Sequence, residues 1–329
     1  DNKRDVSIVR RGYDLFHSIQ YIADIMRHLP QMRGYDVVQV TNPVFFDLRP
    51  EKNLAIFKYL KKHNKKIFLD ALATDHYYVK TCLDGKTFRY SDFFVGDRPL
   101  PHPEREKMLA AWIGGPNERP NIEMAQEANG IIACLYEYYA AYQPEYADKL
   151  AYIPIPIDLS INPFHPIKST PEVVKFFIGI QQHRTAIKGT DILLDVLREI
   201  HDKYPRESHI QKVVSVPFDE YNKLLVDCHI LLDQLYSYTP ATNALAAMAR
   251  GIIAVSGAEP EFYNFIGEQK LRPIINVLPD RNDIFKQLEN LIIHRDRLPK
   301  LSTESRQFVE KYHDHVKVAR QYLEFWEKH

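Results

Sequence analysis

Arg184 and Lys188 stand four residues apart in a polar turn between an apolar run, KFFIGI, and an amphipathic run, TDILLDVL. Two cations at that spacing, in a loop feeding a helix, reach one anion, arginine as a planar fork and lysine as a point charge. A second turn, Thr239 to Asn243, precedes NALAAMAR, a helical run whose free N–H groups and dipole favour an anion. The chemistry on offer is the binding of a phosphate or diphosphate. Taken alone, Arg184 and Lys188 also read as a solvated basic turn; the order of motifs described below favours phosphate. No Asp-x-Asp motif occurs in the chain, which argues against a metal-bound diphosphate. His313-Asp314-His315 has a metal-like spacing but reads as a polar break between two helices. Carboxylates fall in other turns: Asp75-His76 follows KKIFLDALAT, Asp233-Gln234 ends HILLDQ, and Glu259 and Glu261 flank Pro260.

These turns must be held by regular elements. Lys175 to Gly267 repeats one form: a short apolar run, a polar turn, then an amphipathic run. Serial units of this kind imply a parallel sheet flanked by helices. In such sheets ligands sit outside the carboxyl ends of the strands, where the helices begin, and the charged turns fall there. The first half follows the same logic. DVSIVRR and YDVVQVTN read as strands, YDLFHSIQYIADIMRHL and NLAIFKYLKKHN as helices, and KKIFLDALATD as a strand with its exit turn. A doubly wound domain opens with a strand and a substrate-facing loop. That first unit is missing, which implies either a start upstream of Asp1 or its loss. From His76 to Asn121 the periodicity breaks in a stretch rich in aromatics, Pro and Gly. An irregular excursion is expected there, either solvent-exposed or forming an acceptor-binding surface or lid.

Regular structure resumes with IEMAQEAN as a helix, Gly130 to Cys134 as a strand, a further helix, and LAYIPIPID as a strand. The Pro-rich SINPFHPIKSTPE then marks a linker. The expected domains are 1–165, 166–314 and a closing helix within 315–329. Val316, Val318, Ala319, Tyr322, Leu323 and Trp326 give that helix one apolar stripe. It must dock on something, either across the hinge on the first domain, on its own second domain, or on a second subunit.

Lys+Arg and Asp+Glu both number 43, so the formal net charge is zero. Nothing global draws such a chain to nucleic acid or an acidic membrane. No apolar run reaches the roughly 18 residues of a spanning helix, and the charged opening DNKRDVSIVRR does not read as a signal peptide. Cys82, Cys134 and Cys228 lack metal-type spacing and read as reduced thiols of a cytosolic protein. Glycines number 12, against 20 Tyr and 17 Phe. A phosphate site here uses few glycines, and rings are available to stack on sugars.

Two doubly wound domains, a short linker and a closing helix resemble the GT-B glycosyltransferases, and the order of motifs resembles the retaining family 4 enzymes of that class. The second domain opens with Gly179 on a strand, then Arg184 and Lys188-Gly189 ahead of a helix. VPFDEYNKLL matches the family's valine-proline-aromatic turn through Val216 and Pro217. Leu245-Ala246-Ala247-Met248-Ala249-Arg250-Gly251 matches its donor helix, and IIAVSGAEPE its Pro-Glu loop. The resemblance implies an α/β architecture of two Rossmann-like parallel-sheet domains facing across a cleft, with the C-terminal helix crossing back. It implies a cytoplasmic, metal-independent, cofactor-free hexosyltransferase, at most peripheral at the inner membrane face. Such an enzyme moves a sugar, with retention, from a nucleotide-diphosphate sugar to a glycan or lipid-linked acceptor. Donor contacts then fall on Gly179, Arg184, Lys188, Val216, Pro217, Tyr238, Thr239, Ala241, Thr242, Asn243 and Glu259, and catalytic ones on Asp75, His76 and Glu261. For Asp75-His76 a helix cap is the plain alternative.

The family's signature is two glutamates separated by seven residues, and by register Tyr238 and Ala246 hold those positions here. In the family the first carboxylate contacts the transferred sugar and the second the ribose. Their loss leaves a second reading open, a catalytically degenerate GT-B protein that binds a nucleotide sugar or a partner without turnover. Asp233, Glu259 or Glu261 is a candidate replacement carboxylate. A GT-B sugar-nucleotide epimerase ranks third, because the Ala-Met-Ala helix resembles the transferases more.

Overall fold

A computed structural model describes residues 17–329; the strand expected at DVSIVRR lies outside them. The chain forms two parallel sheets. The first contains β1 (Val37–Val40) and β2 (Lys66–Ala71), and after a small antiparallel hairpin, β3 (Phe94–Val95) and β4 (Arg98–Pro99), it adds β5 (Gly130–Ala133) and β6 (Leu150–Tyr152). Its order is β1-β2-β5-β6. The second contains β7 (Val174–Ile180), β8 (Ser208–Val214), β9 (Ile230–Leu232), β10 (Ile253–Ser256) and β11 (Ile275–Asn276), in the order β11-β10-β9-β7-β8. The chain therefore reverses its direction of travel between β7 and β9, the kind of switch point at which open α/β sheets bind ligands.

Side-chain alternation decides what covers the first sheet. Ile67, Leu69 and Ile131 point to one face and pack with Phe57, Met124 and Tyr142 of the flanking helices. Phe68 and Ile132 point to the other face, where the last helix, His315–Lys328, lies across them. The C-terminal helix thus crosses back to the first domain. The Phe325 ring sits 5.6 Å from that of Phe68. Trp326 Nε1 donates to Gln39 Oε1 at 3.1 Å, and Lys66 Nζ donates to the Trp326 carbonyl at 2.6 Å. The apolar stripe is turned from the one expected. Val318, Tyr322, Phe325 and Trp326 face the sheet, while Val316 and Leu323 are 59% and 55% exposed. The break before this helix is anchored too. His313 is buried with its Nδ1 2.9 Å from the Ile155 carbonyl, and Asp314 caps the helix through the Val316 N–H.

The stretch expected to be irregular, His76 to Asn121, holds helices at His76–Cys82 and Pro103–Trp112, and another begins at Glu118. The Pro and Gly residues there punctuate helix ends: Pro103 takes the first turn, and Gly114 follows the last with a φ of 66°. All three cysteines are free and buried. No described helix is long and apolar enough to cross a membrane.

Asp70, beneath the crossing helix, accepts from Gln39 Nε2 at 2.8 Å and leaves Oδ1 without a partner. Burial, only partly offset by the Gln39 bond, pushes its pKa up to about 7. A carboxyl raised on folding contributes stability that is present below its ordinary value and lost as pH rises through the folded value. Asp70→Asn is expected to flatten the fall in stability between about pH 4 and 7, and to stabilise the protein at pH 8 by on the order of 2 kcal/mol. Urea unfolding of both proteins at pH 4.5 and 8 checks this; equal destabilisation at both would contradict it.

Candidate active site in the interdomain cleft

β7 ends at Ile180 and turns through Arg184 into the short helix Thr185–Lys188. Gly189 then takes a φ of 66°, and a Cβ there would lie 2.7 Å from that of Leu235. The Lys188-Gly189 pair is thereby explained: only glycine turns the chain left-handed while letting the exit loop of β9 press against it. Leu235 N–H donates to the Lys188 carbonyl at 2.9 Å and locks the two loops together. From this contact a relay runs across the switch point. Lys188 Nζ lies 4.0 Å from Asp233 Oδ1, which accepts from Asn243 Nδ2 at 2.9 Å. Asn243 Oδ1 in turn accepts from the Tyr221 hydroxyl at 3.0 Å. Gly179 makes room for Tyr221, whose ring would stand 2.6 Å from a Cβ at that position.

Two cavities flank the relay. The larger, of about 330 Å³, lies between the domains and is lined by Arg184, Lys188, Asp233, Gln234, Tyr236, Ala241, Thr242 and Asn243. The first domain lines the same space with Thr74, Tyr78, Asp92, Glu137 and Tyr138. The smaller, of about 310 Å³, is lined by Gly179, Gln181, Ser215, Val216, Phe218 and Tyr221, and shares Lys188 and Asn243 with the first.

The first domain grips the loop after β9 at several points. Glu137, one residue into the helix Tyr136–Tyr146, is buried and accepts from the Tyr238 N–H at 2.6 Å, the Thr239 N–H at 3.0 Å and the Thr239 hydroxyl. Burial raises its pKa and these bonds work against that rise. Arg89 bridges Glu259 and Glu261, and its own N–H donates to the Tyr238 hydroxyl at 2.6 Å. Tyr90 donates to Glu259 Oε1 at 2.6 Å and packs its ring 4.9 Å from that of Tyr238. Arg105 is buried, bonded to the Asp92 carbonyl and, at 2.7 Å, to that of Ala186. Asp92 lines the cleft. Burial raises its carboxyl to about 6, against the Tyr78 hydroxyl and the charges of Arg105 and Arg184, which lower it.

The structure brings Arg184, Lys188, Ala241, Thr242 and Asn243 to the larger cavity, and Gly179 and Val216 to the smaller. Asp233 and Gln234 line the larger cavity as well, and the other residues singled out in the sequence line neither. Asp75 is fully buried and caps the helix His76–Cys82, accepting from Tyr78 N–H and, at 2.8 Å, from the Tyr142 hydroxyl. His76 is held by Asn121 and by the Trp112 carbonyl. Pro217 caps the helix Phe218–Leu225, Tyr238 and Thr239 are engaged by the first domain, and Glu259 and Glu261 hold Arg89. Asp92 and Glu137 were not singled out in the sequence. Glu137 carries a usable signal, since it follows β5 at the carboxyl end; Asp92 sits in aperiodic sequence and carries none.

No protein-family model and no curated protein matches the sequence. Solved structures match the fold. Sucrose-phosphate synthase from Thermosynechococcus elongatus superposes with a TM-score of 0.57 at 12% identity, over 90% of this chain and 74% of that one. Alr3699/HepE from Anabaena, in complex with UDP-glucose, gives 0.57 at 12% identity, over 93% and 82% of the two chains. A TarM variant from S. aureus, bound to UDP and fondaparinux among other ligands, gives 0.53 at 14% identity, over 83% and 59%. At such identities the likeness is one of fold, and this chain has the GT-B fold.

Removing the Glu137 carboxylate leaves two buried amides unpaired. Glu137→Ala is expected to speed hydrogen exchange at the Tyr238 and Thr239 amides at least tenfold while leaving the β7 amides unchanged. Exchange measured by mass spectrometry reads this directly, and unaltered rates at the loop would show that the grip lies elsewhere.

Proposed function

We propose that the chain is a glycosyltransferase that moves a hexose from a nucleoside-diphosphate sugar to a hydroxyl of a glycan or lipid-linked acceptor. The observation that carries this reading is the pair of cavities that meet at Lys188 and Asn243, on the carboxyl ends of β7 and β9. The smaller cavity suits a nucleoside, with the 76% exposed Phe218 offering a ring face for the base. The diphosphate lies at the junction, against Arg184, Lys188 and the N–H groups that open the helix Thr242–Ala249. The sugar and acceptor share the interdomain cavity. HepE, on the same fold, was solved with UDP and glucose and with UDP-glucose, which supports a nucleotide sugar as the ligand.

In the transfer, the acceptor oxygen forms a bond to the anomeric carbon as the bond from that carbon to the diphosphate breaks. The diphosphate leaves with the electron pair and takes up the acceptor proton. We read the reaction as retaining and independent of a metal: two side-chain cations at the junction stabilise the charge that develops on the leaving group. Domain closure aligns the partners, and the Glu137 and Arg89 contacts hold the closed arrangement. A second reading, binding without turnover, is favoured by one feature: Tyr238, at the register position of the family's first glutamate, is buried among Phe88, Tyr90 and Tyr136.

Arg184→Ala and Lys188→Ala are each expected to weaken nucleoside-diphosphate binding by at least about 1.5 kcal/mol. Calorimetric titration tests this, with circular dichroism to confirm the fold; unchanged affinity in both variants removes the site. Ala246 is partly exposed on the helix Thr242–Ala249. Ala246→Glu is expected to tighten nucleotide binding or leave it unchanged, and an unfolded variant would overturn the register. Release of sugar-transfer product from a bound donor separates an enzyme from a silent binder.

A further inference from the structure

The larger cavity is lined by three carboxylates, Asp92, Glu137 and Asp233, and two cations, Arg184 and Lys188. Both cations stand on the turn after β7, beside the nucleoside cavity, and a bound diphosphate engages both. The rest of the wall then presents carboxylates to a sugar, and Arg105, whose charge reaches Asp92, is bonded to the carbonyls of Asp92 and Ala186. Glu137 is occupied by the donor loop. Asp233 is not fully occupied: Asn243 donates to Oδ1, while Oδ2 has no hydrogen-bond partner although the residue is only 3% exposed. A buried acceptor without a donor costs free energy, and a ligand hydroxyl relieves that cost. A ligand carboxylate, which only accepts, adds a like charge instead.

Resting on the nucleotide-sugar reading above, we infer that the transferred sugar is neutral. Its hydroxyls donate to Asp233 and Asp92, and sugars bearing a carboxylate are excluded from this cavity. The discrimination is electrostatic, so it acts on the sugar and leaves recognition of the nucleotide to Arg184 and Lys188. Increasing salt narrows the gap between neutral and acidic donors only modestly, because the cavity is enclosed between the domains.

Calorimetry on the whole chain tests this in two steps. UDP, GDP, ADP and dTDP are titrated first. The neutral and uronate esters of whichever binds tightest follow, UDP-glucose against UDP-glucuronate for uridine and the corresponding pairs for the other bases. The neutral ester is expected to bind at least tenfold more tightly than its uronate. Asp92→Asn and Asp233→Asn are each expected to narrow that gap at least threefold. A nucleoside diphosphate that binds while its two esters differ by less than threefold overturns this inference alone. Failure of all four nucleoside diphosphates to bind removes the nucleotide-sugar reading and this inference with it. If either variant does not fold, the comparison of esters on the unaltered protein decides the matter.

Discussion

A carboxylate buried between two domains must find donors or give up its charge. Glu137 finds them in successive backbone N–H groups of the opposite domain, at Tyr238 and Thr239. That bond fixes the height of the loop leading to the helix Thr242–Ala249, and so the position of every residue the loop brings to the cleft. Contacts from the aromatic-rich segment secure the same loop from outside. Arg89 spans two glutamates, Tyr90 stacks on Tyr238, and Arg105 ties the Asp92 backbone to the turn that carries Lys188. The two halves of the site are registered by groups that do not line the smaller cavity at all.

Within the second domain, proximity follows from strand order. β7 and β9 are neighbours in the sheet although β8 intervenes in sequence. Neighbouring strands run about 4.8 Å apart, so the turns that leave them are bound to touch. Asp233 and Lys188 approach to 4.0 Å for that reason. Asn243 and Tyr221 extend the contact toward the smaller cavity, so a continuous set of side chains joins the two cavities.

Local periodicity was enough to read the β-to-α series and the turn bearing Arg184 and Lys188. These features are carried by short-range pattern and by glycine at a left-handed position. The residues that close the cleft were not legible in the same way. Glu137, Asp92 and Arg89 act on partners more than a hundred residues distant or on a space formed only by docking, and no local pattern encodes that. Asp75 and His76 illustrate the converse. Their place at a strand's carboxyl end suggested chemistry, yet the N-cap of a short helix and a buried tyrosine cluster use the same polar groups. The turned stripe of the last helix has a similar origin: helical spacing marks Leu323 as apolar, but docking on the sheet buries Phe325 instead.

The helix His315–Lys328, made after every strand of the second sheet, covers a face of the first. A ribosome releases the β1 to β6 region long before this cover exists. Until that helix is made, Phe68 and Ile132 lack the side chains that shield them, and Gln39 lacks Trp326. Domains usually mature in the order of translation; here the first sheet waits for a helix made after the second. Premature termination anywhere in the second domain therefore yields a nascent chain with an apolar sheet face open to chaperones and proteases, and synthesis through Trp326 is what supplies the cover.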